Sequence, residues 1–148
     1  MRNYLALFFV GLLFVNACKK DDEVLAPEPS ISLVSVSPLN VEQFKDSVEV
    51  TINYKDNNGD IGDESPDEYS LSVRDSRLSE ADWYHVQPLA PLTEELVFEG
   101  QIKIKINTLF LLGNGSQELT TLTIKLKDRA GNWSNEVVSS AITINDTL

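Results

Sequence analysis

From Ile31 to Asn145 the chain alternates apolar and polar residues with a period of two. Val48, Val50, Ile52 and Tyr54 are separated by Glu49, Thr51 and Asn53. Tyr69, Leu71 and Val73 alternate with Ser70, Ser72 and Arg74, and Ile102, Ile104 and Ile106 with Lys103, Lys105 and Asn107. The same rhythm runs through Leu122, Ile124 and Leu126, then through Val138, Ser140, Ile142 and Ile144. Segments of this kind bury one face and wet the other, as strands of antiparallel sheets do. Ile31 and Leu33 fall out of phase with Val34 and Val36, so the first strand is expected to carry a bulge or bend. The pattern predicts seven strands, over residues 31–37, 47–55, 68–75, 83–88, 96–106, 119–128 and 136–145. Turn residues separate them: Ser37-Pro38, Asn57-Asn58-Gly59, Ser65-Pro66, Pro88 to Pro91, Gly113-Asn114-Gly115 and Gly131-Asn132. Ser79 to Asp82 supplies the one helical hint, a single turn. Seven short strands in one repeat-free module predict an all-β fold, an antiparallel two-sheet sandwich.

The first residues do not follow this rhythm. Tyr4 to Val15 is an uncharged apolar run behind Arg2. It is too short for a spanning helix, which needs about 20 apolar residues, and has the layout of a signal peptide. Val15-Asn16-Ala17-Cys18 resembles the lipobox of bacterial lipoproteins. That resemblance implies a signal peptide over residues 1–17, cleavage before Cys18, and lipidation of the Cys18 thiol and amino group. Two or more acyl chains hold a protein stably on a bilayer, where one does not. Lys19-Lys20-Asp21-Asp22-Glu23 follows. It resembles the export signal of Bacteroidota-type surface lipoproteins, which implies an outer-membrane, surface-exposed location. The same residues also read as the start of a solvated linker. Residues 18–30 are thus a lipidated Cys and tether, extended by Pro27 and Pro29, and residues 31–148 the sandwich.

Charge and composition narrow the function. With 23 Asp and Glu against 12 Lys and Arg, the net charge is −11. Nucleic acid is excluded as an expected partner, since a phosphate backbone is held by Lys and Arg. One Cys and one His leave no intramolecular disulfide, no Cys-rich zinc site and no multi-His metal site.

Lys127-Asp128-Arg129-Ala130-Gly131-Asn132-Trp133-Ser134-Asn135 looks like the last hairpin of bacterial immunoglobulin-like and fibronectin type III-like domains. The resemblance implies an immunoglobulin-like sandwich and no activity. Gly131 or Asn132 is expected to take positive φ, and Asp128 to accept bonds from turn amides. The intersheet Cys pair of antibody domains is missing, so the likeness is one of architecture.

The segment Tyr54 to Asp67 (YKDNNGDIGDESPD) is rich in carboxylates and glycine. It resembles a segment recurrent in Bacteroidota-type lipoproteins. Asp56, Asn58 and Asp60 have the 1, 3, 5 spacing of a calcium loop, and Asp67 falls at position 12. Position 6 is Ile61 where an EF-hand needs Gly, and a strand leads in, so any Ca²⁺ would sit in a sandwich loop. Asp56, Asn58, Asp60, Asp63 and Asp67 are the candidate ligands. The alternative is an acidic turn that stays wet.

Carboxylate pairs alone do not make a hydrolase, which needs two carboxyls beside a cleft. His85, in a strand-like segment, reads as an ordinary packed side chain. The chain is therefore expected to be non-enzymatic. Trp83, Tyr84 and Trp133 offer flat faces to a sugar or a protein. Alternation puts Trp83 and His85 on one face and Tyr84 and Val86 on the other. One Trp is expected in the core, with Trp133, in a turn, exposed; Trp133 and Tyr84 are the candidate binding residues. The expected function is a cell-envelope lipoprotein displaying a protein- or glycan-binding module. The alternative is a structural or assembly component of an envelope complex.

Overall fold

The computed structural model describes residues 26–91 and 97–147. Cys18, the residues before it and the tether as far as residue 25 lie outside the described residues. Alternation becomes burial along the central strands. Val48, Val50, Ile52, Ile124, Leu126, Ile142 and Ile144 are fully buried, with Leu71, Val73, Leu122, Ile104 and Ile106 beside them in one core. Each such side chain contributes about 1.5–3 kcal/mol when removed from water.

Ten strands form among the described residues, and no helix. β1 (Ser30–Ser37), β3 (Val48–Asp56) and β6 (Phe98–Ile106) make one antiparallel sheet in the order β1-β3-β6. β5 (Asp82–Tyr84), β4 (Leu71–Asp75), β8 (Leu122–Leu126) and β9 (Val137–Val138) make a second. β2 (Asn40–Glu42), β10 (Ile142–Asn145) and β7 (Gln117–Thr120) make a third. The fold is all-β and sandwich-like. As the phase change at Val34 requires, the β1–β3 register shifts between Leu33 and Ser35. Val34 is half exposed there.

Several elements differ from the periodic reading. The segment 119–128 is two strands: β7 pairs with β10, and β8 with β4 and β9. Only Thr121 separates them, and Thr120, Leu122, Ile124 and Leu126 stay buried throughout. The chain changes partners without changing face. The segment 136–145 likewise splits into β9 and β10. Val138 is exposed and Ser139 buried, because the Ser139 hydroxyl accepts the Leu122 amide at 2.8 Å where the ladder breaks. β2 was not visible in the pattern, and its pairing with β10 is parallel, so the sheets are not purely antiparallel. The 68–75 strand begins only at Leu71, leaving Tyr69 exposed, and the 83–88 strand stops at Tyr84. Ser79 to Asp82 forms no helical turn; Asp82 opens β5.

The turn from Asp128 to Asn135 shows what each of its residues does. Gly131 has φ of 91°. Asp128 Oδ1 accepts the Asn132 amide at 2.7 Å, and its Oδ2 accepts Asn132 Nδ2 at 2.8 Å. Ser134 is buried; its Oγ accepts the Leu126 amide while its own amide donates to the Leu126 carbonyl. Asn135 reaches across to β1, accepting the Ile31 amide and donating to the Ile31 carbonyl, both at 2.9 Å. The turn thus fastens the second sheet to the start of the first.

Candidate functional site

The strand registers define two poles. Lys55 and Asp56 at the end of β3 meet Ser30 of β1 and Phe98 of β6, so the chain enters the domain at this pole. Val48 and Ile106 mark the opposite one.

The acidic loop lies at the first pole. β3 carries Asp56 inward, where it is 1% exposed. Its Oδ2 accepts the Asp60 amide at 2.7 Å, tightening the turn. Asp60 Oδ2 accepts the Ala130 amide, and the Asp60 carbonyl accepts the Arg129 amide. Ile61 bridges to Asp128. The loop is therefore seated on the 128–132 turn, a contact that sequence spacing did not indicate. Burial pushes the Asp60 carboxyl above its usual range, and the nearby Asp128 and Asp56 carboxylates add to the effect. Arg129 is the local cation, but it donates to the carbonyls of Gly62 at 2.9 Å and Gly59 at 3.5 Å.

Four side-chain oxygens in this loop are buried and have no hydrogen-bond partner among the described residues: Oδ1 of Asp56, Asn57, Asn58 and Asp60. Asp56, Asn58 and Asp60 are three of the candidate ligands read from spacing. Asn57 was not among them, although it adjoins Asp56. The other two candidates go elsewhere. Asp63 Oδ1 accepts the Ser65 amide at 2.8 Å, and Asp67 is exposed. Gly59 and Gly62, with φ of 69° and 84°, turn the chain between the two halves. No group of three His, Cys, Asp or Glu side chains arranged for a metal occurs among the described residues. The loop offers two carboxylates and two carboxamides instead.

A second feature lies on the outer face of the β5-β4-β8-β9 sheet. Trp83 and Trp133 are both exposed, so neither fills the core as expected of one of them. Leucine and β-branched side chains fill it instead. The two indoles meet edge to face at 5.7 Å. Lys125 Nζ stands 5.1 Å and Lys127 Nζ 5.7 Å from the Trp133 ring. Beside Trp83 a hollow of about 230 Å³ is lined by Ser72, Arg74, Glu80, Thr123, Lys125 and Glu136. Tyr84, a candidate binding residue, is half-buried and packs against the core; Trp83 takes the outward position. His85 Nδ1 donates to the Glu68 carbonyl at 2.9 Å. A larger hollow of about 500 Å³ over β1, β3 and β6 is lined by Ser32, Asn53, Lys55 and Glu99. It has no exposed aromatic ring.

At the far pole, Phe44 and Phe110 stack at 5.7 Å with 4° between their planes. Phe44 is 69% exposed and has φ of 59°, the left-handed region that a non-glycine residue rarely adopts.

No family model, curated protein or solved structure matches the chain.

Proposed function

We propose that the chain is a non-enzymatic cell-envelope lipoprotein, anchored through lipid on Cys18 at the outer membrane and surface-exposed, whose domain binds a glycan through its Trp83–Trp133 face. The observation that carries the binding reading is the exposed indole pair with lysines over one ring. Aromatic faces stack on the C–H faces of sugars. The adjoining hollow is lined by both donors and acceptors, which suits hydroxyl groups, and its size suits one or two sugar rings rather than a large ligand. Arg74 and Lys125 in the hollow are offset by Glu80 and Glu136, with Lys125 Nζ 3.5 Å from Glu136, whereas Lys127 stands beside Trp133 with no ion pair among the described residues and offers its charge to an anionic glycan. The immunoglobulin-like resemblance of the last hairpin fits a display module.

The test is calorimetric titration of the protein with a uronic-acid oligosaccharide and with its neutral counterpart. Binding of the acidic sugar is expected, with Trp83→Ala and Trp133→Ala each weakening it about tenfold or more, or roughly 1.4 kcal/mol. Equal binding by the double variant, or no response to either sugar, overturns the glycan reading. The assembly reading is favoured by one observation, the stacked Phe44 and Phe110 at the pole away from the tether. A stable envelope complex lost on Phe44→Ser and kept on Trp133→Ala would support it.

Anchoring is tested separately. Metabolic labelling with a fatty-acid analogue is expected to mark the wild-type chain and leave Cys18→Ser unlabelled. Label retained by the serine variant would exclude Cys18 as the attachment site.

A further inference from the structure

We propose that the 56–60 loop is a Ca²⁺ site, with Oδ1 of Asp56, Asn57, Asn58 and Asp60 as its side-chain ligands. Buried oxygens without a donor are costly, at about 1–3 kcal/mol each and more for a charged group. Natural folds rarely leave one, and here four fall within five residues. All four are acceptors, so what satisfies them together must be electropositive. Asp56 is 1% exposed, so its unpaired oxygen does not face solvent.

Arg129 does not fill this role. Its guanidinium donates to the carbonyls of Gly59 and Gly62 and to none of the four oxygens. Nor is the amide of Asn57 simply reversed, because its Nδ2 donates to the Ala26 carbonyl at 2.7 Å and leaves Oδ1 as the free atom. The donor chemistry selects the metal. Carboxylate and carboxamide oxygens suit hard cations, and a short loop with mixed donors suits the flexible six-to-eight coordination of Ca²⁺ better than the strict octahedron of Mg²⁺. Water or backbone carbonyls would complete the shell. The two carboxylate ligands balance the charge of one divalent ion. Asp128 is a positioning residue: both of its oxygens are occupied by Asn132, and it lies beside Asp60.

The location gives the site a consequence. The loop sits at the pole where the chain enters, and Asn57 is bonded to Ala26 within the tether. Bound Ca²⁺ would fix the domain's footing on its tether. An extracellular module of this kind needs only a dissociation constant of roughly 10⁻⁴–10⁻³ M.

The full chain in detergent, stripped with chelator, is titrated with CaCl₂, MgCl₂ and NaCl at matched ionic strength while Tm and terbium luminescence are followed. Ca²⁺ at a hundredfold excess over its dissociation constant is expected to raise Tm by roughly 8–15 °C. Asp56→Asn and Asp60→Asn are expected to lose that rise, and Asp67→Asn to keep it. Because Asp60→Asn removes repulsion from Asp56 and Asp128, its metal-free form should melt no lower than the metal-free wild type, which separates lost binding from lost folding. Terbium bound to the wild type should be displaced by Ca²⁺. A Ca²⁺ shift no larger than that from NaCl, with terbium not displaced, overturns the site. So does an Asp67→Asn variant that loses the response as fully as Asp60→Asn.

Discussion

Replacing Arg77 with alanine is expected to cost about 3–5 kcal/mol, the loss that follows when one partner of a buried ion pair is removed. Tm should fall on the order of 10–20 °C. Arg77 follows β4 and grips Asp75 with two bonds, Nε to Oδ1 at 3.0 Å and Nη2 to Oδ2 at 2.7 Å. Its Nη1 donates to Glu118 at 2.6 Å and to the Phe110 carbonyl at 2.9 Å. Thr120 also donates to Asp75. One guanidinium therefore joins β4 of the four-stranded sheet, β7 of the neighbouring sheet and the loop after β6. Asp75 is 8% exposed, so truncation strands a buried carboxylate.

Acidity gives this prediction a second signature. Burial pushes the Asp75 carboxyl up, but the bonds from Arg77 and Thr120 outweigh it and hold the group below its ordinary value of 3.8. In the wild type its contribution is thus present above pH 3.8 and lost as pH falls through the lowered value. In Arg77→Ala burial is opposed only by the Thr120 hydroxyl and the residue-77 amide, so the folded-state value rises relative to the wild type and less stability is gained as pH rises. The gap between the two proteins should be widest at neutral pH and narrow toward pH 4. Urea unfolding at several pH values measures it. A gap independent of pH, or an Arg77→Ala/Asp75→Asn double variant no more stable than Arg77→Ala, would show that the pair does not act as described.

The legible part of the fold was the part in which hydrophobicity and burial coincide. β6 and β8 follow their alternation residue by residue, β3 does so except at Thr51, which is buried between Val50 and Ile52, and the β1 bulge appears as a phase change. What alternation does not encode is which strand lies alongside. At Thr121 the buried parity continues while the partner changes from β10 to β4, so one predicted strand became two in different sheets. At Val138 and Ser139 parity itself inverts, because a buried hydroxyl replaces a missing ladder bond. Ranking residues by apolarity places them the wrong way round. β2 is three residues long, too short for any period.

The acidic loop was legible as far as its first turn. The 1, 3, 5 spacing marked Asp56, Asn58 and Asp60 because alternate residues of a tight turn share a side. Beyond Gly59 and Gly62, where positive φ redirects the chain, Asp63 accepts the Ser65 amide and Asp67 is exposed, so neither is among the buried oxygens without a donor. Asp128 and Arg129 lie about 70 positions further along the chain, as the Arg129–Gly59 bond shows, and no local pattern connects them. The indole pair was missed for a related reason. Trp83 and Trp133 come together only once β5 and the 128–135 turn lie on one sheet.

Gly62 and Gly131 both sit at positive φ, and the same substitution should separate them sharply. At Gly131 a methyl group would meet nothing within 4 Å. Gly131→Ala should therefore carry only the left-handed backbone cost, about 1–2 kcal/mol. At Gly62 a methyl group would stand 2.2 Å from the Gln87 carbonyl oxygen and 2.6 Å from its carbon. Those are backbone atoms and cannot rotate away. The Asp63 amide donates to the Val86 carbonyl and the Leu89 amide to the Ile61 carbonyl, so the two segments are laced together on either side of the clash. Relief requires them to part, which draws Ile61, 1% exposed, from the core and moves the Gly62 carbonyl that Arg129 holds. Backbone strain and overpacking together should make Gly62→Ala cost about 2–6 kcal/mol. Urea denaturation of both variants beside the wild type reads the difference directly. If Gly62→Ala falls no further than Gly131→Ala, the 61–63 and 86–89 segments are not held against each other as the structure places them.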